Sequence, residues 1–171
     1  MKHYLLAGLL LAAVPAVAQT APTDSELRAS GAESPVPFKG ANIILVHTTD
    51  SMRVAVKNMA RALIVAGIEP DKIDSDIGYL TTKPKPVGTL SPATFQYKIV
   101  ASPEPTGTVL SITGDYTVKV NLVNSLTSTM FWSKGNIAQG RQCFALIEPV
   151  AQAYPNGKLG YKSKIEKNIV R

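Results

Sequence analysis

The pattern of apolar and polar positions changes period several times along the chain. In "ANIILVHTT", Ile43, Ile44, Leu45 and Val46 form an unbroken, mostly β-branched run bounded by Gly40 and by polar residues. Such a run predicts a strand covered on both faces. In "SMRVAVKNMARALIVAG" the spacing becomes helical, with Met52, Val56, Met59, Leu63 and Ala66 on one face. Thr49 or Asp50 offers a capping oxygen, Gly67 tolerates the left-handed turn that ends a helix, and Pro70 forbids continuation. Arg53, Lys57 and Arg61 form a basic row away from the apolar stripe, and Val54 and Val65 share the outer side with Asn58.

Period-two segments follow. A strand is expected over 77–82, ending where Pro84 and Pro86 remove backbone donors. "LSPA" reads as a turn. In "TFQYKIVASP", Phe95, Tyr97 and Ile99 alternate with Gln96 and Lys98. After the loop "EPTGT", Leu110 and Ile112 alternate with Val109, Ser111 and Thr113, with Gly114 marking a bulge or bend before Tyr116, Val118 and Val120. Segments 95–101 and 109–113 are expected to be antiparallel neighbours. "TSTMFWSKGN" is ambiguous between strand end and loop. A second helix is expected in "IAQGRQCFALIEPVAQAYPNG", where Ile137, Phe144, Ile147 and Ala151 recur at helical spacing and Pro149 bends it or restarts it near Leu146. "KLGYK" adds a short strand. The expected fold is a single α+β domain over 41–162, ordered β-α-β-β-β-α, its antiparallel-rich sheet carrying two helices on one face in a helix-grip-like arrangement.

The flanks read differently. "MKHYLLAGLLLAAVPAVAQ" has a basic start, an apolar run too short to span a bilayer, and small residues before Gln19, the pattern of a secretory signal peptide over 1–18. Residues 19–40, with Pro22, Pro35 and Pro37 and no periodicity, are expected to be disordered linker. No later run reaches spanning length and no lipobox cysteine is present, so the expected product is exported, soluble and not lipidated, periplasmic or secreted. The formal net charge is +6, but Lys158, Lys162, Lys164, Lys167 and Arg171 follow Gly157 with only Glu166 against them. The body is therefore near neutral, and the charge belongs to a basic tail, set at 163–171, able to make weak contact with an anionic surface. Nucleic-acid binding, which wants a basic face on a folded body, is not expected.

Chemistry-bearing residues are few. Past the leader, His47 is the only histidine, and no nucleophile motif stands near it. One histidine and one cysteine, Cys143, do not make a zinc site. The lone cysteine is expected to be buried. Asp71, Asp74 and Asp76 fail the calcium-loop spacing, since Gly78 and Lys85 fall where oxygen ligands are required. They read as turn and strand-edge charges. Glycine-rich phosphate loops are absent. The chain is therefore not expected to be an enzyme or to carry a cofactor or metal.

The segments "IILVHTTDS", "LIVAGIEPDKIDSDIGYLTTKPK", "SITGDY" and "FALIEPVAQAYPNGKLGYK" resemble, in element order and pattern, the helix-grip domains of BamC, an outer-membrane lipoprotein of the β-barrel assembly machine. The resemblance runs from about 41 to 162 and implies an interaction module without catalysis, working at the cell envelope. It carries over no functional residue. The leading expectation is accordingly a non-catalytic exported module that binds an envelope protein or the cell-envelope surface, with Arg53, Lys57, Arg61 and Trp132 as candidate contacts. "MFW" (130–132) is either a lid on the core or a partner anchor, since tryptophan is enriched at interfaces. The alternative is a carrier of a small apolar ligand held in a cavity between helix and sheet. A third, catalytic, reading would need a polar cleft containing His47.

Overall fold

The computed structural model describes residues 21–86, 93–119, 125–134 and 138–164. The expected leader, the Leu90 turn, Val120, Ile137 and residues 165–171 of the tail lie outside them. The elements run α1 (Asp24–Ser30), β1 (Ile43–Thr48), α2 (Met52–Val65), β2 (Pro70–Asp74), β3 (Tyr79–Thr82), β4 (Lys85–Pro86), β5 (Ala93–Glu104), β6 (Gly107–Lys119), β7 (Ser125–Thr129), α3 (Gln139–Gln152) and β8 (Lys158–Lys162). The strands join in one antiparallel sheet ordered β2-β3-β5-β6-β1-β8, with β4 also on β5 and β7 also on β6.

The α+β class and the antiparallel sheet agree with the sequence pattern. The element order is richer than β-α-β-β-β-α, because a helix precedes β1 and because β2, β4 and β7 are strands without an apolar alternation. Such strands sit at or beyond the margin of the core, where pairing and not burial holds them. β2, for example, is exposed along nearly its whole length.

The long β5–β6 hairpin is the spine of the sheet. Its register runs unbroken from Ala93↔Val118 to Glu104↔Gly107. Period-two geometry sends Phe95, Tyr97, Ile99, Leu110 and Ile112 to one face, where all are buried. Ile44 and Val46 of β1 continue that face, and Met59, Leu63, Phe144 and Ile147 of the helices pack on it. Gly114 makes no bulge. It pairs directly with Tyr97. A Cβ there would lie 2.8 Å from the Tyr97 ring, so the glycine makes room for the aromatic under α3.

β6 is longer than its second neighbour can cover. β1 pairs with its first half, at 108–112, and β7 with its second half, at 115–119. β1 and β7 therefore lie end to end along one edge of β6.

The helices follow their apolar stripes, with two departures at their ends. α2 buries Ala55, Val56, Met59, Ala60 and Leu63, and Gly67 takes a φ of 69° beyond its end. Its N-cap is Ser51, with no side-chain cap bond, not Thr49 or Asp50. The Asp50 carboxylate instead accepts from Asn58 at 3.0 Å and from the Tyr154 hydroxyl at 2.7 Å, a tertiary tie that takes its oxygen away from the helix end. α3 runs through Pro149 to Gln152 without restarting. Pro149 lies in the last turn, where one missing donor does not interrupt the span.

Residues 21–40 are not linker. Thr23 and Glu26 form a reciprocal capping box at the start of α1, and Gly31 closes it with a φ of 62°. Leu27 and Phe38 join the core, and Ser34 bridges to Tyr161 of β8. Isolated apolar side chains carry no periodicity, but two of them suffice to pin a short segment once a core exists to receive them.

Candidate functional site

A concave feature lies where β1 and β7 meet end to end. The chain there is threaded by backbone bonds: Met130 N–H to Gly114 C=O at 2.7 Å, Trp132 N–H to Ala41 C=O at 2.8 Å, and Gly40 N–H to Trp132 C=O at 2.9 Å. Met130 is buried, which makes it the anchor of "MFW", while Phe131 and Trp132 remain partly exposed. α1 and the end of β8 rise on either side. The result is an open groove of about 870 Å³ lined by α1, by 39–42, by 128–133 and by Ser163 and Lys164.

The charged residues of its lining are basic, and the Asp24 carboxylate stands next to them, accepting from the Lys39 backbone N–H at 3.2 Å. Arg28, Lys39 and Lys164 line the groove, and among the described residues no acidic side chain does. Among the same residues none of the three cations is in an ion pair. Arg28 lies across Gly40, whose added Cβ would fall 2.8 Å from the arginine side chain. Ser25, Ser128 and Ser133 add hydroxyls, and Trp132 supplies an apolar body with an N–H. Such a lining can take carboxylates by charge-assisted hydrogen bonds while an apolar group rests on the indole.

The four residues singled out from the sequence separate. Trp132 lines the groove. Arg53, Lys57 and Arg61 lie exposed on α2, and none of them lines it. Arg53 is paired with Asp76 in the β2–β3 turn. Asp74 accepts from the backbone N–H groups of Asp76 and Ile77, so this aspartate organises the turn.

His47 sits on the opposite sheet face from Ile44 and Val46, between two carboxylates. Nδ1 is 3.0 Å from Glu104 and Nε2 is 2.8 Å from Glu33. Partial burial acts to lower its pKa, but the two carboxylates outweigh it and the net shift is upward. With a carboxylate at each nitrogen, the ring when protonated can donate to both. That arrangement ties the segment before β1 to the tip of the β5–β6 hairpin and engages both ring nitrogens. Cys143 is buried on the inner face of α3; burial pushes its thiol up to about 12, and the Tyr97 hydroxyl donates to its carbonyl at 2.8 Å. A nucleophilic role is closed to it in the folded state.

No protein-family model matches the chain, and no curated protein sequence matches it significantly. Function is therefore read from the groove's own residues.

Sequence reasoning missed Arg28 and Lys39, and had Lys164 only as part of the basic tail. One signal for the first was present: "TDSE" at 23–26 is a capping-box pattern, which announces a helix that would carry Arg28. The meeting of that helix with Trp132 and the end of β8 depends on pairings between distant segments, Ala41 with Trp132 and Ser34 with Tyr161.

Proposed function

We propose that the protein is an exported, non-catalytic interaction module that docks an envelope protein through the groove around Trp132. The observation that carries this reading is the union of a part-exposed tryptophan with three cations that, among the described residues, have neither an ion-pair partner nor a lining acid beside them. Tryptophan and arginine are the side chains that most often anchor interfaces. The absence of catalysis belongs to the same proposal. It is supported by the double engagement of His47 and the burial of Cys143.

The packing of α2 and α3 on one antiparallel sheet is compatible with a helix-grip-like module such as the BamC domains, and the BamC likeness stays part of this proposal. The carrier alternative is the less favoured reading, since Phe144, Ile147, Tyr97 and Ile112 are buried in one cluster of the core. Lys57 and Arg61, exposed on α2, are a second contact surface for the same class of partner.

The test is site-specific photocrosslinking in the producing cells. A benzophenone side chain at Trp132 should give a discrete protein adduct that Arg28→Glu and Lys39→Glu together abolish. Adducts from Lys57 or Arg61 with none from Trp132 would move the docking face to α2. Adducts from neither face would refute the interaction reading.

A further inference from the structure

Four strands border the sheet among the described residues, β2, β4, β7 and β8, and they are not treated alike; β4 is only Lys85 and Pro86, a charge and a proline. β2 ends one side with Pro70, the charges Asp71, Lys72 and Asp74, and a register break between Pro70 and Lys72. Proline, charge and bulges are the devices by which an edge strand is kept from pairing with another chain. β8 ends the other side, and the Ser34–Tyr161 bridge covers part of it. β7, "SLTST", has neither device: no charge, no proline, and β6 as its only strand partner among the described residues.

The direction of its free groups follows from the ladder. Met130 N–H points to Gly114 of β6. Backbone direction alternates along a strand, so Thr127 and Thr129 send their N–H and C=O groups away from β6, to the open side. β8 runs antiparallel to β1 in the neighbouring row, and β7 continues the row of β1. Among the described residues no strand pairs with this side of β7, and just beyond its end the Phe131 N–H donates to the Gly140 C=O at 3.1 Å; the side is in line with β8, and Thr129 lines the cationic groove.

We infer that the partner enters as an extended acidic segment that adds a strand to the open edge of β7 and places its carboxylates against Arg28, Lys39 and Lys164. This rests on the docking reading above and names its chemistry. Strand addition takes its affinity from main-chain hydrogen bonds and its selectivity from alternate side chains. Charge selects the occupant: three cations with no acid among the described lining residues repel a basic segment and attract an acidic one.

The experiment uses the purified protein and synthetic decapeptides of alternating glutamate and valine. Trp132 is the only tryptophan, so its emission reports the groove directly. The acidic peptide should shift that emission saturably, with weaker binding at higher salt, and the lysine–valine counterpart should not. Methylating alternate peptide nitrogens keeps the charge and removes the ladder donors; it should weaken binding by about tenfold or more. Thr127→Pro deletes a donor on the open side only, a substitution edge strands accept, and should weaken binding by about tenfold with the circular dichroism spectrum unchanged. Equal binding of the methylated peptide, with Thr127→Pro neutral, would overturn strand addition while leaving a docking groove. Absence of any response to the acidic peptide would overturn the acidic-strand inference, and the crosslinking above would still decide the docking reading. Two other occupants would overturn it as well. One is a second copy, seen as a dimer in sedimentation that Thr127→Pro dissociates; the other is the chain's own tail, seen as an affinity gain of about tenfold or more on truncation after Lys164.

Discussion

Adding one methyl group at Gly114 tests how the core is built. The glycine pairs with Tyr97 across the β5–β6 ladder, and a Cβ would meet two Tyr97 ring carbons at 2.8 and 2.9 Å and the Cys143 sulfur at 3.0 Å. Neither neighbour has room to retreat. The Tyr97 hydroxyl is fixed to the Cys143 carbonyl, and both residues are fully or almost fully buried. Overpacking of this kind costs about 1–3 kcal/mol. Replacing a strand glycine by alanine would otherwise gain about 0.5–1 kcal/mol in backbone entropy, so the steric term must exceed that to be seen. The net expectation for Gly114→Ala is a loss of about 1–2 kcal/mol, a fall of about 0.5–1 M in the urea midpoint for a slope near 2 kcal/mol per M. Tyr97→Leu removes the ring carbons. In that background Gly114→Ala should be neutral within about 0.5 kcal/mol, which makes the coupling between the two sites about 1 kcal/mol or more. Equilibrium urea unfolding of the four chains measures the cycle. A Gly114→Ala protein as stable as its parent with Tyr97 intact, or an equal penalty in both backgrounds, would refute the claim that the glycine exists to seat the ring.

Other expectations follow from the same contacts. The raised pKa of His47 means that its ties to Glu33 and Glu104 stabilise the fold fully below the unfolded value near 6.5, provided the carboxylates stay ionised, and that this contribution fades as pH rises through the raised folded value; His47→Gln should flatten that part of the urea-midpoint profile, and a folded-state NMR titration midpoint at or below 6.5 would contradict it. Cys143, with its thiol pushed up to about 12 by burial, should resist a water-soluble thiol reagent until urea unfolds the chain, and rapid labelling of the native protein would show that α3 opens. Phe38→Ala should cost about 3 kcal/mol, because that side chain is buried in the core; a loss below about 0.5 kcal/mol would return 21–40 to the status of linker.

The elements of the fold and the residues of the groove differ in how legible they are along the chain. The helix over 52–65 and the hairpin strands are visible because their apolar residues repeat at 3.6 and at 2.0, and burial imposes those periods on any chain that forms them. α1 is hidden because its seven residues contain one buried side chain, Leu27, and one point defines no period. Gly114 reads as a bend because glycine in a strand often marks one; its reason lies in a ring on the partner strand. Trp132 is legible as a candidate by type alone, whereas Arg28, Lys39 and Lys164 give no sign of convergence.

By itself, then, the amino-acid order determined the class of fold, the faces of its principal helices and of its central hairpin, the burial of Cys143, and the poverty of reactive groups. These are local properties, set by side-chain type and spacing over ten or fifteen residues. Tertiary structure alone decided that β1 and β7 share one side of β6 end to end, that α1 and the end of β8 flank the gap between them, and that three cations face it with no acid among the described lining residues. Those facts depend on strand pairings between distant segments, and a pairing register is a property of two segments together, which neither one's own pattern records.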